Sequence, residues 1–293
     1  MKEVMKLNYN ELTPIERHNN IFLKRDDLFA PLGIGNINGT KLRQCFALIN
    51  SNMNKKIKGI ITGCGINSPQ SAIVSYVANY YKLPCIILVG GTNEERIKTL
   101  PYLKRSLDFG SKIINLKSGR HTVLYKHARD IVKNNDYFIV EYGINLKNNM
   151  NALIQSVANQ VKNIPDNLDK LFITCGSGIT STGVLLGTYL FKKNIKEIIL
   201  VGNAPNRENF IKENLEQLAL YYKDVNITNL KFTFIDRYNN EPSFNYNKQE
   251  KASINNIELH PNYETKAWNF ITKNKLYTDD EKVMFWIVGS YVK

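Results

Sequence analysis

From about residue 57 onward, apolar positions alternate between two registers. Short β-branched runs bounded by Gly, Pro or Asn read as strands. Each is followed by a longer segment whose apolar residues recur three or four apart, the period of a helix packed on one face. The pattern predicts strand at 59–62, helix at 68–81 carried by Ile73, Val74, Val77 and Ala78, strand at 84–89 and helix at 94–107. It continues with strand 111–115, helix 123–132, strand 137–140 and a long helix over 148–162 carrying Leu153, Ile154, Val157 and Val161. A second series gives strand 171–174, helix 183–191, strand 197–201, helix 209–222 and strand 231–235, then helix 263–273 and strand 283–288. A shorter helix is expected at 42–49. Such alternation implies parallel βαβ units with right-handed crossovers, hence an α/β fold. Residues 238–256, rich in Asn, Pro, Ser and Lys and without a period, read as a loop or lid insertion.

Length and composition narrow this picture. A chain of 293 residues is long for one core and favours two domains or one large α/β unit. The balance of 39 Lys+Arg against 26 Asp+Glu leaves a net charge of +13, an anion-attracting field. The lysines are spread along the chain, with no block of six or more like charges that would mark a binding arm. Cys45, Cys64, Cys85 and Cys175 form no C-x-x-C pair and are expected as reduced thiols. His121 and His127 are six apart, a spacing that does not put both on one helical face, and no zinc or other metal site is expected. Apolar runs such as 85–89 are far shorter than the roughly 20 residues that span a bilayer. The amino terminus has no apolar signal region, so a cytoplasmic protein without membrane contact is expected.

Three segments carry candidate chemistry. Cys175-Gly-Ser-Gly-Ile-Thr-Ser-Thr-Gly183 lies between an apolar strand and an apolar helix. Its glycines let backbone approach an anion, its hydroxyls donate, and the helix N-terminus adds free N–H groups, so the segment reads as a phosphate cradle. It is neither a Gly-Lys-Ser/Thr nucleotide loop nor a dinucleotide fingerprint, because Gly176, Gly178 and Gly183 are spaced G-x-G-x-x-x-x-G. A plain βα turn with a Ser/Thr cap is the competing reading. Asn38-Gly-Thr-Lys-Leu-Arg43 puts Lys41 at a helix start, where a cation is disfavoured. Lysine amines form Schiff bases with carbonyl compounds, although taken alone a surface lysine is the commoner case. Gly63-Cys-Gly-Ile-Asn-Ser-Pro-Gln-Ser71 lies between a strand and its crossover helix, with Ser68 suited to the N-cap and Pro69 to the first helical position. Ligands of parallel sheets bind beyond the carboxyl ends of strands, so this loop is placed for a substrate carboxylate.

Together with Thr13-Pro-Ile-Glu16, Leu23-Lys-Arg-Asp-Asp-Leu28 and His260-Pro-Asn-Tyr-Glu-Thr-Lys-Ala267, these segments occur in the order found in the tryptophan-synthase-β-like, fold type II pyridoxal-phosphate enzymes. From about residue 11 to the end the chain resembles that family, and most closely its 1-aminocyclopropane-1-carboxylate deaminase and D-cysteine desulfhydrase group. The resemblance implies pyridoxal 5'-phosphate as cofactor, bound to Lys41 as an aldimine. It implies Gly176, Ser177, Gly178, Ile179 and Thr180 as the phosphate loop and Ser68 and Gln70 as the receptor of the substrate carboxylate. Tyr263 and Glu264 match the deaminases' Tyr-Glu pair, Tyr263 beside the substrate and Glu264 facing the pyridine nitrogen. The implied architecture is two open, mostly parallel twisted sheets flanked by helices: residues 1–48 and 151–293 form a large cofactor domain, and 49–150 a small mobile one. A homodimer is implied as well.

Three positions depart from the family pattern. Pro69 stands where an asparagine usually contacts the cofactor's ring oxygen, and proline offers neither donor nor side-chain acceptor. Thr40 replaces an asparagine, and Ile287-Val-Gly-Ser290 matches the terminal Thr-Gly-Gly loop only loosely. The first functional expectation is therefore a lyase or deaminase acting on a small amino acid through a carbanionic intermediate. A second keeps the cofactor and moves the substrate to an amine-bearing modified nucleotide or nucleic acid, in line with the +13 charge and the altered loop. A third is a non-catalytic binding protein that kept the fold.

Overall fold

The structure, a computed structural model, describes residues 7–33, 35–146, 149–246 and 248–289. Two sheets organise it. Strands β3 (Gly59–Gly63), β4 (Cys85–Gly90), β5 (Lys112–Leu116) and β6 (Tyr137–Val140) form an all-parallel sheet in the order β5-β4-β3-β6. Helices α2 (Gln70–Tyr80), α3 (Glu94–Thr99), α4 (Pro101–Asp108) and α5 (His121–Val132) make its crossovers. Every residue of the central β3 is buried, as expected of a strand covered by helices on both faces.

The larger sheet has the order β1-β2-β12-β7-β8-β9. Its strands are β1 (Ile15–His18), β2 (Ile21–Arg25), β7 (Asn167–Cys175), β8 (Asn194–Gly202), β9 (Thr233–Asp236) and β12 (Val283–Ile287). All pairings are parallel except the β1–β2 hairpin. Its helices are α1 (Thr40–Asn50), α6 (Met150–Ser156), α7 (Ile179–Leu190), α8 (Glu208–Tyr222) and α10 (Glu264–Lys273). The expected loop at 238–256 carries the end of a short helix α9 (Arg237–Asn240) and most of a small hairpin, β10 (Ser253–Ile254) with β11 (Ile257–Glu258).

Three expectations change. The helix expected over 94–107 is two, because Pro101 forces Leu100 into extended backbone (ψ 127°) and starts a new helix. The helix expected over 148–162 ends at Ser156 and continues as a 3-10 segment, Ala158–Asn163; Asn148 lies outside the described residues. This segment packs hard against α7, where a Cβ on Gly183 or Gly187 would come within 2.6 Å of Val157 or 2.4 Å of Val161. The Thr13–Glu16 and Leu23–Leu28 segments, to which the apolar period assigned no element, supply β1 and β2.

The amino-terminal segment fixes the start of α1. Asp26 is fully buried and accepts hydrogen bonds from Thr13 Oγ1 (2.6 Å), Thr40 Oγ1 (2.6 Å), Arg43 Nη1 (3.0 Å) and Trp286 Nε1 (3.0 Å). Burial alone would raise its carboxyl, but Arg43, Lys24 and the hydroxyl donors hold it below the ordinary value. Strand β12, the β1–β2 hairpin and the first turn of α1 are thereby tied to one carboxylate. Among the described residues no helix is long and apolar enough to cross a membrane.

Candidate active site

Lys41 is the second residue of α1, held by the Asp26 clamp through its neighbour Thr40 and entered through Gly39, whose φ of +88° favours glycine. Its Nζ lies 5.7 Å from the centre of the Tyr263 ring. Burial lowers the amine to about 8, while Cys64 and Glu264 pull it back upward. A sizeable fraction is therefore uncharged near neutral pH, the form that attacks a carbonyl.

Opposite Lys41, β7 ends at Cys175 and the chain turns through Gly176, Ser177 and Gly178 into α7. The helix begins at Ile179, four residues before the expected start, so Thr180 and Ser181 stand in its first turn. Gly178 caps it with φ +89° and no side-chain hydrogen bond, leaving first-turn N–H groups without helical partners. Phe210 and Ile211 of α8 press on Gly178, where a Cβ would come within 2.9 Å of the Phe210 ring. Thr180 Oγ1 accepts from Gln44 Nε2 at 2.9 Å, whereas buried Thr174 Oγ1 and Ser181 Oγ have no partner. Lys41, Pro69, Gly176, Ser177, Thr180 and Tyr263 line one cleft of about 460 Å³ of empty space, open to solvent on one side.

Tyr263 and Glu264 enter from the start of α10. Glu264 is fully buried; its Oε1 accepts from the Gly289 N–H at 2.8 Å, and its Oε2 has no partner. Burial pushes its carboxyl up to about 8. It opens on an adjoining pocket, with His260, that shares Gly289 with the Lys41 cleft. The Tyr263 hydroxyl is hydrogen-bonded to that of Tyr246. Tyr246 carries no sequence signal of its own, whereas His260 opens the quoted 260–267 segment without a role assigned to it. His260 Nδ1 accepts from the Asn262 N–H, and its Nε2 meets the hydroxyl of Tyr102 from α4 at 3.1 Å, a bridge between the two sheets' layers. Burial first, then Lys41, holds the His260 imidazole down to about 3.

The Ser68–Gln70 loop is built differently. Pro69 itself precedes α2, one residue later than the cap expected at Ser68, and Ser68 Oγ accepts from the Gln70 N–H at 3.3 Å. The Gln70 side chain is buried; its Nε2 donates to Thr62 Oγ1 (2.7 Å) and the Glu141 carbonyl (3.2 Å), and its Oε1 accepts from the Gly143 N–H (2.8 Å). These bonds brace β3 against the turn after β6. Val288 and Gly289 of the terminal loop reach the cleft, while Ser290 lies outside the described residues.

A phosphorylated pyridine aldehyde suits this donor set. The Gly176–Thr180 turn offers unpaired N–H groups and nearby free hydroxyls to a phosphate, Glu264 Oε2 is a buried acceptor awaiting a protonated ring nitrogen, and Lys41 is a desolvated amine for the aldehyde.

No known family model matches the chain. Its sequence is similar to that of the O-seryl-dTMP PLP-dependent decarboxylase of Salmonella phage ViI, at 26% identity over 94% of this chain and 79% of that protein. Its structure is similar to that of an ACC deaminase homologue, with a TM-score of 0.76 and 20% identity, covering 98% of this chain and 91% of the other. A hydrogen sulfide-producing enzyme of Fusobacterium nucleatum superposes with a TM-score of 0.60 at 17% identity, covering 99% and 97% of the two chains.

Proposed function

We propose that this chain, a fold type II pyridoxal-phosphate enzyme of tryptophan synthase β-like architecture, breaks a bond at the α-carbon of an amino acid carried on a nucleotide. The observation that carries the reading is the meeting of Lys41, the Gly176–Thr180 turn and Tyr263 around one cleft, with Glu264 beside it. Pyridoxal phosphate, when bound, supplies an aldehyde that combines with amines and a ring that accepts the electron pair released at the α-carbon. The turn residues Gly176, Ser177, Gly178, Ile179 and Thr180 would hold its phosphate, and Glu264, whose Oε2 is unpartnered, would hold its ring nitrogen.

Lys41 moves a proton to or from the α-carbon, a task suited to an amine near 8. Tyr263, pushed well above the ordinary phenol value by burial and by Tyr246, stays protonated and serves as a hydrogen-bond donor inside the cleft. The start of α2, where Pro69 lines the cleft, would receive the substrate carboxylate, with one donor fewer than another residue there would provide. A weakly held carboxylate favours its departure, because binding it tightly in the ground state would raise the barrier to losing it.

Decarboxylation of an O-seryl nucleotide is the specific reaction this favours. The bond from the α-carbon to the carboxyl breaks, carbon dioxide leaves, and the α-carbon takes up one proton. The similarity to the phage decarboxylase and the +13 net charge support the nucleotide carrier. The test is incubation of the cofactor-loaded protein with O-seryl-dTMP labelled at the serine carboxyl. Labelled carbon dioxide and the matching aminoethyl nucleotide are expected. Ammonia and a keto acid from free D- or cyclic amino acids, with the nucleotide untouched, would return the reading to a small-amino-acid deaminase. A cytoplasmic homodimer belongs to the same reading, and light scattering tests its assembly.

A further inference from the structure

Outside the cofactor cradle, a second group of polar side chains gathers where the two sheets' carboxyl ends face each other. Arg207 immediately precedes α8, and its carbonyl accepts the Ile211 N–H at 2.9 Å. Since Ile211 and Phe210 pack on Gly178, Arg207 is carried to the rim of the cleft. Its Nε is buried without a hydrogen-bond partner, and the guanidinium forms no ion pair among the described residues. Such a half-buried cation calls for an anion.

From the opposite side, His121 opens α5 and its ring lies 4.1 Å from that of Tyr142, with a tilt of 43°. Tyr142 follows β6, and its neighbour Gly143 packs directly on Ser177, where a Cβ would come within 2.5 Å of the serine Cβ. Tyr142 therefore stands beside the Gly176–Thr180 turn, 37% exposed as a residue. Burial, then Arg207, holds the His121 imidazole below its ordinary value, as expected when two cationic groups converge with no anion between them.

We propose that Arg207 and His121 form a phosphate subsite, with Tyr142 as an aromatic wall, that holds the nucleotide part of the substrate at the mouth of the Lys41 cleft. The proposal rests on the nucleotide reading of the function and adds where the carrier sits. A guanidinium fork and an imidazole match phosphate oxygens, and an exposed phenol ring beside them offers a face to a pyrimidine. The amino acid then reaches inward past Ser177 to Lys41.

The test titrates dTMP, thymidine and inorganic phosphate into the cofactor-loaded wild type, Arg207→Gln, Arg207→Lys and Tyr142→Leu by calorimetry. Pyridoxal phosphate affinity is followed separately by absorbance. Wild type is expected to bind dTMP at least about tenfold more tightly than thymidine. Arg207→Gln should lose about tenfold or more in dTMP affinity with cofactor affinity unchanged, Arg207→Lys should fall between, and Tyr142→Leu should weaken dTMP and thymidine alike. Equal dTMP affinity in wild type and Arg207→Gln would overturn the proposal. So would a loss confined to cofactor affinity, since Arg207 would then serve the cofactor's own phosphate. Repeating the dTMP titration on cofactor-free protein separates the two accounts: if no cofactor attaches to Lys41, the enzymatic reading fails while the Arg207 difference remains readable. Should Arg207→Gln not fold, Arg207→Lys with wild-type dTMP affinity in the presence of normal cofactor binding would still reject the guanidinium's role.

Discussion

The two walls of the cleft differ in how their polar groups are used. On the wall built from the large sheet, buried Glu264 Oε2, Thr174 Oγ1 and Ser181 Oγ have no partners and the α7 cap is bare. On the wall built from the small sheet, Gln70 satisfies its amide within the protein, Ser68 caps its own helix, and Pro69 has no N–H to give. Buried polar groups are normally paired. Around the cleft, the open valences of the large-sheet wall are therefore where a ligand would complete the structure, and the closed ones opposite form a frame.

Substitutions on each wall should separate along that line. Lys41→Ala has the largest effect: activity falls by about a thousandfold or more, and the protein no longer gives a pyridoxyl adduct at this helix. Stability should barely move, since a desolvated amine is removed. Gln70→Ala acts in reverse. It leaves the Gly143 N–H and Thr62 hydroxyl short of a buried partner and should cost about 2–3 kcal/mol in denaturant unfolding, with cofactor affinity retained. A Gln70→Ala protein of normal stability that binds no cofactor would break the comparison.

Protonation sharpens it further. The Glu264 carboxyl is raised in the folded protein to about 8 from 4.5. Its favourable contribution is complete below the unfolded value and is lost as pH rises through about 8, where the folded chain must carry a buried unpaired charge. The melting temperature of the cofactor-free protein should thus decline between pH 5 and 9, and Glu264→Gln should flatten that decline. Bound cofactor should flatten it too, by giving Oε2 a partner. For Lys41 the sign is opposite: the folded value lies below the unfolded one, so cofactor capture quickens as pH rises and levels off above about 8. A midpoint near 10.5 would mean a solvated lysine. Ser68→Ala has the smallest effect, under about 1 kcal/mol, because it removes one long capping contact.

Much of this was legible in the sequence where local chemistry is periodic or glycine-marked. The parallel strands followed from β-branched runs, and the tight turn from β7 into α7 from glycines between a strand and a helix. The splits at Leu100–Pro101 and Val157 were not read, although Pro101 is a visible signal; the break at Val157 falls where 157–161 packs closely on Gly183 and Gly187 of α7, a tertiary contact with no local mark. The Asp26 clamp was also hidden, since its partners Thr13, Thr40, Arg43 and Trp286 are spread along the chain from end to end. Ser68 and Gln70 were named from motif order, which cannot tell a side chain facing a substrate from one bracing a strand. Arg207 lay in a loop with no motif, and only its unpaired, half-buried guanidinium draws attention to it.

The central claim is that Lys41 and the Gly176–Thr180 turn hold one cofactor between them. Borohydride reduction of the protein incubated with pyridoxal phosphate, followed by peptide mapping, tests it most directly. The account predicts a single pyridoxyl group on Lys41, absent from Lys41→Ala. An adduct scattered over surface lysines, or none on Lys41 in a folded protein, would contradict it.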